Sequence, residues 1–526
     1  MSLGLGPAAR THIPADPPAG SPAAGPVGPG SHRSLWATAA LVLTLVLGVL
    51  VAAVADQQAH SSESATSTGQ VHVDNAIVFL VDDMPDFSCA DADLYLPQSS
   101  PWLREQGTCF ESATTSTPVC CPARAQIQTG QLAHNNRVVS QTAARNLDPH
   151  DTVQHDLALR GIDTYGLGKN LNGIDASEYY GPDARDNGFS HFNFWNSYRG
   201  APGAFKLYDE QGQQYTPTDG LSTTETNGAY LDAYLDDQLA SGEPFFVYDA
   251  FFAPHKQGVG ATAADLPYVS PEHAQSPVPP FRYAPEGPGR DKLRIFQGAR
   301  FSRAYYERLY TARVRALYDV DEQVAATFQR LEDAGVLDET AVIFTSDNGY
   351  TDRGQDNWEG KSIPYPAATN IPMLAWFPGR APAVDTKPVA LVDVAPTLYD
   401  VLGVEPGHLL DGHSLLSDHR RDYVYAEFYN EDSGPSRRES GPLTSHLRSW
   451  RVVKQGRQAY VEWYDDDREV AFREFYQDPG MLKNLLSPVH ARERPSAATI
   501  DRFRALLRRF GTCQGTQEQG SPQPCP

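Results

Sequence analysis

The chain of 526 residues is predicted to be an α/β protein. A large, mostly parallel central sheet flanked by helices is followed by a smaller C-terminal antiparallel sheet plus a helix. Three observations carry this. Ala76-Ile77-Val78-Phe79-Leu80-Val81, Pro244-Phe245-Phe246-Val247-Tyr248 and Ala341-Val342-Ile343-Phe344-Thr345 are continuous apolar runs. Such runs mark strands buried on both faces of a parallel sheet. Leu317, Val320, Val324, Phe328 and Leu331 recur at helical spacing between two of them, with Gly335 following as a C-cap, the pattern of a helix covering a sheet. After Asp411-Gly412-His413-Ser414-Leu415-Leu416 the pattern changes to short runs at 423–426, 450–453 and 459–463, read as antiparallel strands, and a terminal helix from Ala498 to Phe510.

In chain order, residues 1–34 are rich in Pro, Gly and Ala, and 35–55 form an uncharged apolar run of 21 residues. About 20 helical residues span a bilayer core. Arg10 and Arg33 precede the run, so the N-terminus is expected in the cytoplasm and the body outside. Ala53-Val54-Ala55 before Asp56 also resembles a cleavage site, so the choice lies between a membrane anchor, which is favoured, and a cleaved signal with a secreted product. Residues 56–72, rich in Ser, Thr and Ala, read as a linker. The main domain is expected over 73–416, a smaller α+β subdomain over 417–511 and a polar tail over 512–526. Val259 to Arg290, rich in Pro and Gly, reads as a long irregular loop near the cleft.

The net charge is −22, which argues against nucleic acid as a partner. It also means that any site for an anion must be a local cluster of Arg, Lys and His inside a cleft. Six cysteines in an exported chain suggest disulfides. Cys513 and Cys525 are expected to close a small loop in the tail, and Cys89 with Cys109 is a second candidate pair. Adjacent cysteines rarely bond to each other, which leaves Cys120 and Cys121 for other chemistry. The count fits two bridges without establishing the pairing.

Two of the apolar strands end in acidic pairs, Asp82-Asp83 and Asp347-Asn348, and open parallel sheets bind ligands beyond the carboxyl ends of their strands. These are hard oxygen donors suited to Ca²⁺, or to Mg²⁺, rather than to a Cys-His zinc site. Either pair alone reads more readily as a helix cap or a turn. Together, beside the Cys120 segment, they read as a site.

That segment, Thr117-Pro118-Val119-Cys120-Cys121-Pro122-Ala123-Arg124 followed by Gln126-Ile127-Gln128-Thr129-Gly130, resembles the signature of type I sulfatases, members of the alkaline-phosphatase-like superfamily. The resemblance runs from about Asn75 to about Leu485. It implies that a formylglycine-generating enzyme converts Cys120 to an aldehyde whose hydrate is the nucleophile. It further implies that Asp82, Asp83, Asp347 and Asn348, with the oxygen at residue 120, hold one divalent cation, usually Ca²⁺. Arg124 would polarise the hydrate. Lys169 in Gly168-Lys169, His255 in Ala253-Pro254-His255 and Lys361 in Glu359-Gly360-Lys361 match the family positions that contact sulfate. Leu391 to Thr397 and Asp411-Gly412 are further landmarks with structural roles.

One position departs from many arylsulfatases, which carry histidine where this chain has Leu171, followed by Asn172. Lys169-Asn170-Leu171-Asn172, the double cysteine and His134-Asn135-Asn136 look more like the N-acetylglucosamine-6-sulfatase branch, and His255 or Asn172 would have to assist in place of the missing histidine. The resemblance implies a sulfuric ester hydrolase acting on a sulfated carbohydrate or, second, an aryl sulfate, with His255 or Lys361 protonating the leaving oxygen. The alternatives are a phosphomonoester or phosphonate hydrolase of the same superfamily, a non-catalytic binder of sulfated glycans, and a papain-like hydrolase using Cys120 and His255.

Overall fold

Asn75–Val81 (β1) is buried at every position because it lies in the middle of an eight-stranded sheet. The computed structural model describes residues 71–174, 188–195, 199–209, 212–258, 262–284, 291–296, 301–430, 448–465 and 469–526. The expected N-terminal segment, the apolar run 35–55 and nearly all of the linker lie outside them, as do both ends of the expected loop 259–290. Among the described residues no helix is long and apolar enough to cross a membrane.

The other strands are Thr108–Phe110 (β2), Asp163–Gly168 (β3), His191–Phe194 (β4), Phe245–Ala250 (β5), Thr340–Ser346 (β6), Met373–Trp376 (β7) and Ala383–Asp385 (β8). Their order is β8-β2-β7-β6-β1-β5-β3-β4. Strands β6, β1, β5, β3 and β4 are mutually parallel. Strand β7 runs antiparallel to both of its neighbours. Alternate residues of β1 face opposite layers, as the two-residue period of a strand requires. Ala76, Val78 and Leu80 pack with Ile127, Leu157 and Leu398 of helices α1 (Cys120–Thr129), α2 (Val153–Leu159) and α5 (Val394–Leu402). Ile77, Phe79 and Val81 pack with Leu235, Val324 and Phe328 of α3 (Thr223–Ser241) and α4 (Arg303–Asp333). Because both faces are covered, the strand reads as one apolar run.

The helix expected around Leu317 to Leu331 extends over 31 residues, from its Ser302 cap. Its first turns bury Tyr305, Tyr306, Tyr310 and Arg313 beside Leu309 and Val314, so an unbroken aliphatic period marks only the second half. Gly335 sits one residue beyond the Ala334 cap with φ +74°.

A four-stranded antiparallel sheet follows, Val424–Phe428 (β9), Ser449–Gln455 (β10), Gln458–Tyr464 (β11) and Val470–Tyr476 (β12). The last strand was not expected, because Arg473 and Glu474 interrupt its apolar pattern. On one face Trp450, Trp463 and Tyr476 pack against Trp358, Ile363 and Tyr365. On the other, Tyr425, Tyr460 and Phe475 lie under Phe503, Leu507 and Phe510 of α6 (Ala497–Phe510). Residues 70–526 cluster as one compact unit that contains both sheets. Cys89–Cys109 and Cys513–Cys525 are disulfide-bonded, and Cys120 and Cys121 are buried thiols outside any disulfide. Asp411 accepts from Leu132 N–H (2.7 Å) and Gly515 N–H (2.6 Å), which tethers the tail to the turn after α1.

Candidate active site

Strands β1 and β6 are adjacent and parallel, with Val81 opposite Ser346, so their carboxyl ends deliver Asp82-Asp83 and Asp347-Asn348 to one spot. Asp83 N–H donates to Asp347 Oδ1 (3.0 Å) and Asn348 Nδ2 to Asp83 Oδ1 (2.6 Å). Asp83 holds φ +66°, a left-handed conformation that costs a non-glycine residue about 1–3 kcal/mol and persists only where the surroundings impose it.

Helix α1 brings the next group. Cys120 is its first residue, Val119 is the extended cap and Pro122 lies in the first turn, where its missing N–H has no intrahelical partner to lose. Every residue of the helix is buried. Cys120 Sγ lies 3.7 Å from Asp82 Oδ1, at the positive end of the helix dipole. Arg124, one turn on, forks onto Asp347 Oδ2 through Nε (3.1 Å) and Nη2 (2.9 Å) and donates Nη1 to the Lys169 carbonyl. Its Nη2 is 3.4 Å from Asp82 Oδ2.

Lys169 leaves the end of β3 through Gly168, whose φ is +82°. A Cβ at Gly168 would lie 2.0 Å from the Ala250 carbonyl, so only glycine lets the chain turn there. Lys169 Nζ contacts Asp82 Oδ2 and lies 3.5 Å from Cys120 Sγ. Lys361 Nζ approaches Cys120 Sγ to 2.8 Å and contacts Asp83 Oδ1. His255, after β5, places Nε2 at 3.4 Å from Asp83 Oδ2. Its Nδ1 lies 2.6 Å from the Lys256 carbonyl. A carbonyl only accepts, so Nδ1 carries the hydrogen and Nε2 of the neutral ring is free of one.

Three buried carboxylates thus meet three buried cations, the local cluster that the acidic net charge requires. Burial alone would raise Asp82, but Lys169, His255, Arg124 and Lys361 outweigh it and hold the carboxyl well below the usual range. Burial and then the Asp82 charge push Asp347 up to about 6. Burial drives His255 down to about 4, against the pull of Asp82 and Asp83. Lys361 overcomes burial and is held well above its usual value, chiefly by Asp83. Burial, then Asp82, pushes the Cys120 thiol up to about 12. A papain-like hydrolase needs its thiol shifted the other way, below the usual value.

A divalent cation fits these donors. Asn348 Oδ1 is buried without a hydrogen-bond partner, which is costly unless something positive faces it. One ligand atom from each of Asp82, Asp83, Cys120 and His255 lies within 4.8 Å of the others. The oxygens of Asp82, Asp83, Asp347 and Asn348 suit Ca²⁺ or Mg²⁺.

The structure therefore brings together Asp82, Asp83, Cys120, Arg124, Lys169, His255, Asp347, Asn348 and Lys361. Asn172 stands one residue further off, its N–H 3.1 Å from Cys121 Sγ. Leu171 is core, packed with Cys121, Ala125, Val138 and Leu147. Sequence reasoning missed Lys256 and Glu359, a buried ion pair at 3.0 Å beside His255 and Lys361. Their adjacency to two predicted residues was the only signal, and partners 103 residues apart cannot be matched by spacing.

A family model described as Sulfatase matches residues 74–404. The extracellular sulfatase SULF-1 homolog of Drosophila melanogaster is 28% identical over 435 residues, covering 77% of this chain and 38% of the fly protein. The N-acetylglucosamine-6-sulfatase of Homo sapiens is 28% identical over 366 residues, covering 65% of this chain and 63% of the human one. The chain thus spans less than two thirds of either relative. The solved structure of BT4656 in complex with its substrate D-glucosamine-2-N,6-O-disulfate superposes with a TM-score of 0.63 at 17% identity, covering 84% of this chain and 97% of that one.

Proposed function

The chain belongs to the sulfatase family, and we propose that it hydrolyses sulfate monoesters, with sulfated sugars of the N-acetylglucosamine 6-sulfate kind as its first substrate class. The single observation that carries this reading is the setting of Cys120. It opens α1 with Lys169 Nζ at 3.5 Å and Lys361 Nζ at 2.8 Å, beside the carboxylates of Asp82 and Asp83.

An aldehyde hydrate formed from Cys120 by a formylglycine-generating enzyme would supply the attacking hydroxyl and, through its second hydroxyl, a route to expel sulfate. Asp82, Asp83, Asp347 and Asn348 would hold Ca²⁺, which adds positive charge where the anion binds. The remaining work falls to side chains. Lys169 and Lys361 neutralise the sulfate oxygens in a buried site, where such contacts are worth more than in water. Arg124 holds Asp347 and the Lys169 carbonyl in place. Lys361 keeps its proton at neutral pH and is the group we assign to the leaving oxygen. His255 offers Nε2 as an acceptor for a hydroxyl at residue 120. Its side chain is 11% exposed, and we assign the substrate's entrance to that side.

Two further expectations belong to this reading. The apolar run 35–55 exports the body and anchors it to the membrane, and Asn172 assists at the substrate in place of the histidine absent at 171. The test is the release of sulfate and of phosphate from matched aryl esters and from N-acetylglucosamine 6-sulfate, with and without EDTA. Peptide mass spectrometry at residue 120 accompanies every preparation. Sulfate release that EDTA abolishes and that scales with aldehyde content is expected. Faster phosphate release, or full activity from an all-thiol chain, would overturn the proposal.

A further inference from the structure

The two site residues that come from opposite sides of β1 are joined through their neighbours in sequence. His255 follows β5, and Lys361 follows β6; these strands flank β1 and do not touch each other. The loop after β6 runs irregularly for fourteen residues before it reaches Lys361, so nothing in the sheet itself fixes the distance between the two side chains.

The connection is a buried ion pair. Lys256 Nζ lies 3.0 Å from Glu359 Oε1, and the side chains are 5% and 3% exposed. The same Nζ donates to Tyr305 Oη (2.9 Å), and Tyr350 Oη donates to Glu359 Oε1. Each partner is short-coupled to a site residue. The Lys256 carbonyl holds His255 Nδ1 and thereby aims Nε2. Glu359 is two residues before Lys361, in a segment pinned by Thr351 N–H to the Gly360 carbonyl (2.9 Å) and Trp358 Nε1 to the Lys361 carbonyl (3.1 Å). A second strap runs parallel to the first. Arg313 of α4 donates Nη1 to the Pro254 carbonyl (3.3 Å) and stacks 4.4 Å over the Tyr350 ring.

We propose that the Lys256–Glu359 pair is a clamp that sets His255 and Lys361 at working distance across the pocket. Both are positioning residues and do not touch substrate. This rests on the active-site reading above. A buried ion pair is a poor source of stability. One that ties together two loops with facing reactive groups has a geometric use, because a displacement of about 1 Å at a reacting centre costs about 100-fold in rate.

The experiment compares Lys256→Met, Glu359→Gln, their double variant and Lys256→Arg in the full chain, with the aldehyde content at residue 120 measured for each. Turnover is followed on N-acetylglucosamine 6-sulfate, whose leaving oxygen needs a proton, and on p-nitrophenyl sulfate, whose leaving oxygen hardly does. Each single variant is expected to lose about 100-fold in kcat on the sugar ester and much less on the aryl ester, with little change in KM. The double variant should be no slower than the slower single one, since the pair acts as a unit, and Lys256→Arg should recover most of the rate. Losses confined to KM, equal losses on both esters, or losses that multiply in the double variant would overturn the clamp. The double variant leaves no lone buried charge and so carries the test if a single one does not fold. A crystal structure of the double variant decides the matter without turnover. Lys361 Nζ moves away from residue 120 if the pair is a clamp and stays if it is not. An inactive parent chain with its aldehyde in place would refute the sulfatase reading alone.

Discussion

Replacing Arg124 by methionine is the sharpest test of the charge balance in the site. The change removes two hydrogen bonds to Asp347 Oδ2, at 3.1 and 2.9 Å, and one to the Lys169 carbonyl. It also takes a cation from 3.4 Å beside Asp82. All three side chains are 0% exposed, so water cannot compensate, and three carboxylates are left facing two ammonium groups. Removing one partner of a buried pair costs about 3–5 kcal/mol, or roughly two to four powers of ten in the unfolding equilibrium. Arg124→Lys keeps the charge but loses the fork, and about 1–2 kcal/mol is expected for it. Urea unfolding followed by circular dichroism measures both. Added Ca²⁺ should stabilise Arg124→Met more than the parent, because the excess negative charge lies among the oxygens proposed to hold the cation. At a concentration of 100 Kd, binding adds about 2.7 kcal/mol. An unchanged urea midpoint for Arg124→Met, or equal losses for the two variants, would refute the reasoning.

Dialysis against EDTA should abolish sulfate release and Ca²⁺ should restore it, while Asp82→Asn should not recover; an enzyme indifferent to EDTA would rule out the oxygen-donor cation. Cys120→Ser should release at most one p-nitrophenol per chain from p-nitrophenyl sulfate, measured as an absorbance burst, and no free sulfate, since a serine offers no second hydroxyl to expel the group it has taken. His134 gives a pH prediction. Its Nδ1 meets Glu427 Oε1 (2.7 Å) and its Nε2 the Cys513 carbonyl (3.1 Å), two acceptors that require a doubly protonated ring. Although burial opposes it, Glu427 raises His134 above 6.5, so its contribution is complete below 6.5 and fades as pH rises through the raised value. Glu427 is lowered to about 2 against burial, chiefly by His134, so its own contribution is lost only in acid. His134→Gln should cost about 2 kcal/mol near pH 6 and flatten the fall in stability above pH 6.5; an unchanged slope of urea midpoint against pH counts against the ion pair. Serine at both Cys513 and Cys525, which close a loop of sequence separation 12, should cost about 3 kcal/mol in the same unfolding measurement.

How much was legible depended on whether the signal was local. Strands β1, β5 and β6 were readable because burial on both faces demands unbroken apolar runs. The Cys120 segment was readable only through its likeness to a family signature, and the helix it opens came from the structure. That the acidic residues at strand ends would meet was readable because a parallel sheet gathers its carboxyl ends on one edge. β12 and the first half of α4 were not, since charged and tyrosine residues there find burial partners far away in sequence. The arylsulfatase histidine is replaced by Leu171, and the structure gives that residue a core role against Cys121 and Val138.

Residue types and short spacings, then, pointed to the chemistry proposed: a cysteine in a family-like segment, carboxylates after apolar strands, and scattered lysines that a net charge of −22 made conspicuous. Only the tertiary structure decided their partners. Asn348 meets Asp83 across 265 positions, and Lys361 meets Cys120 across 241. Such pairings follow from the order of strands in the sheet and from loops held by side chains such as Lys256 and Glu359. A sequence records each residue's own preference for burial or charge. Which opposite charge it meets is set by the lowest free energy of the whole packed chain, and no local pattern contains that.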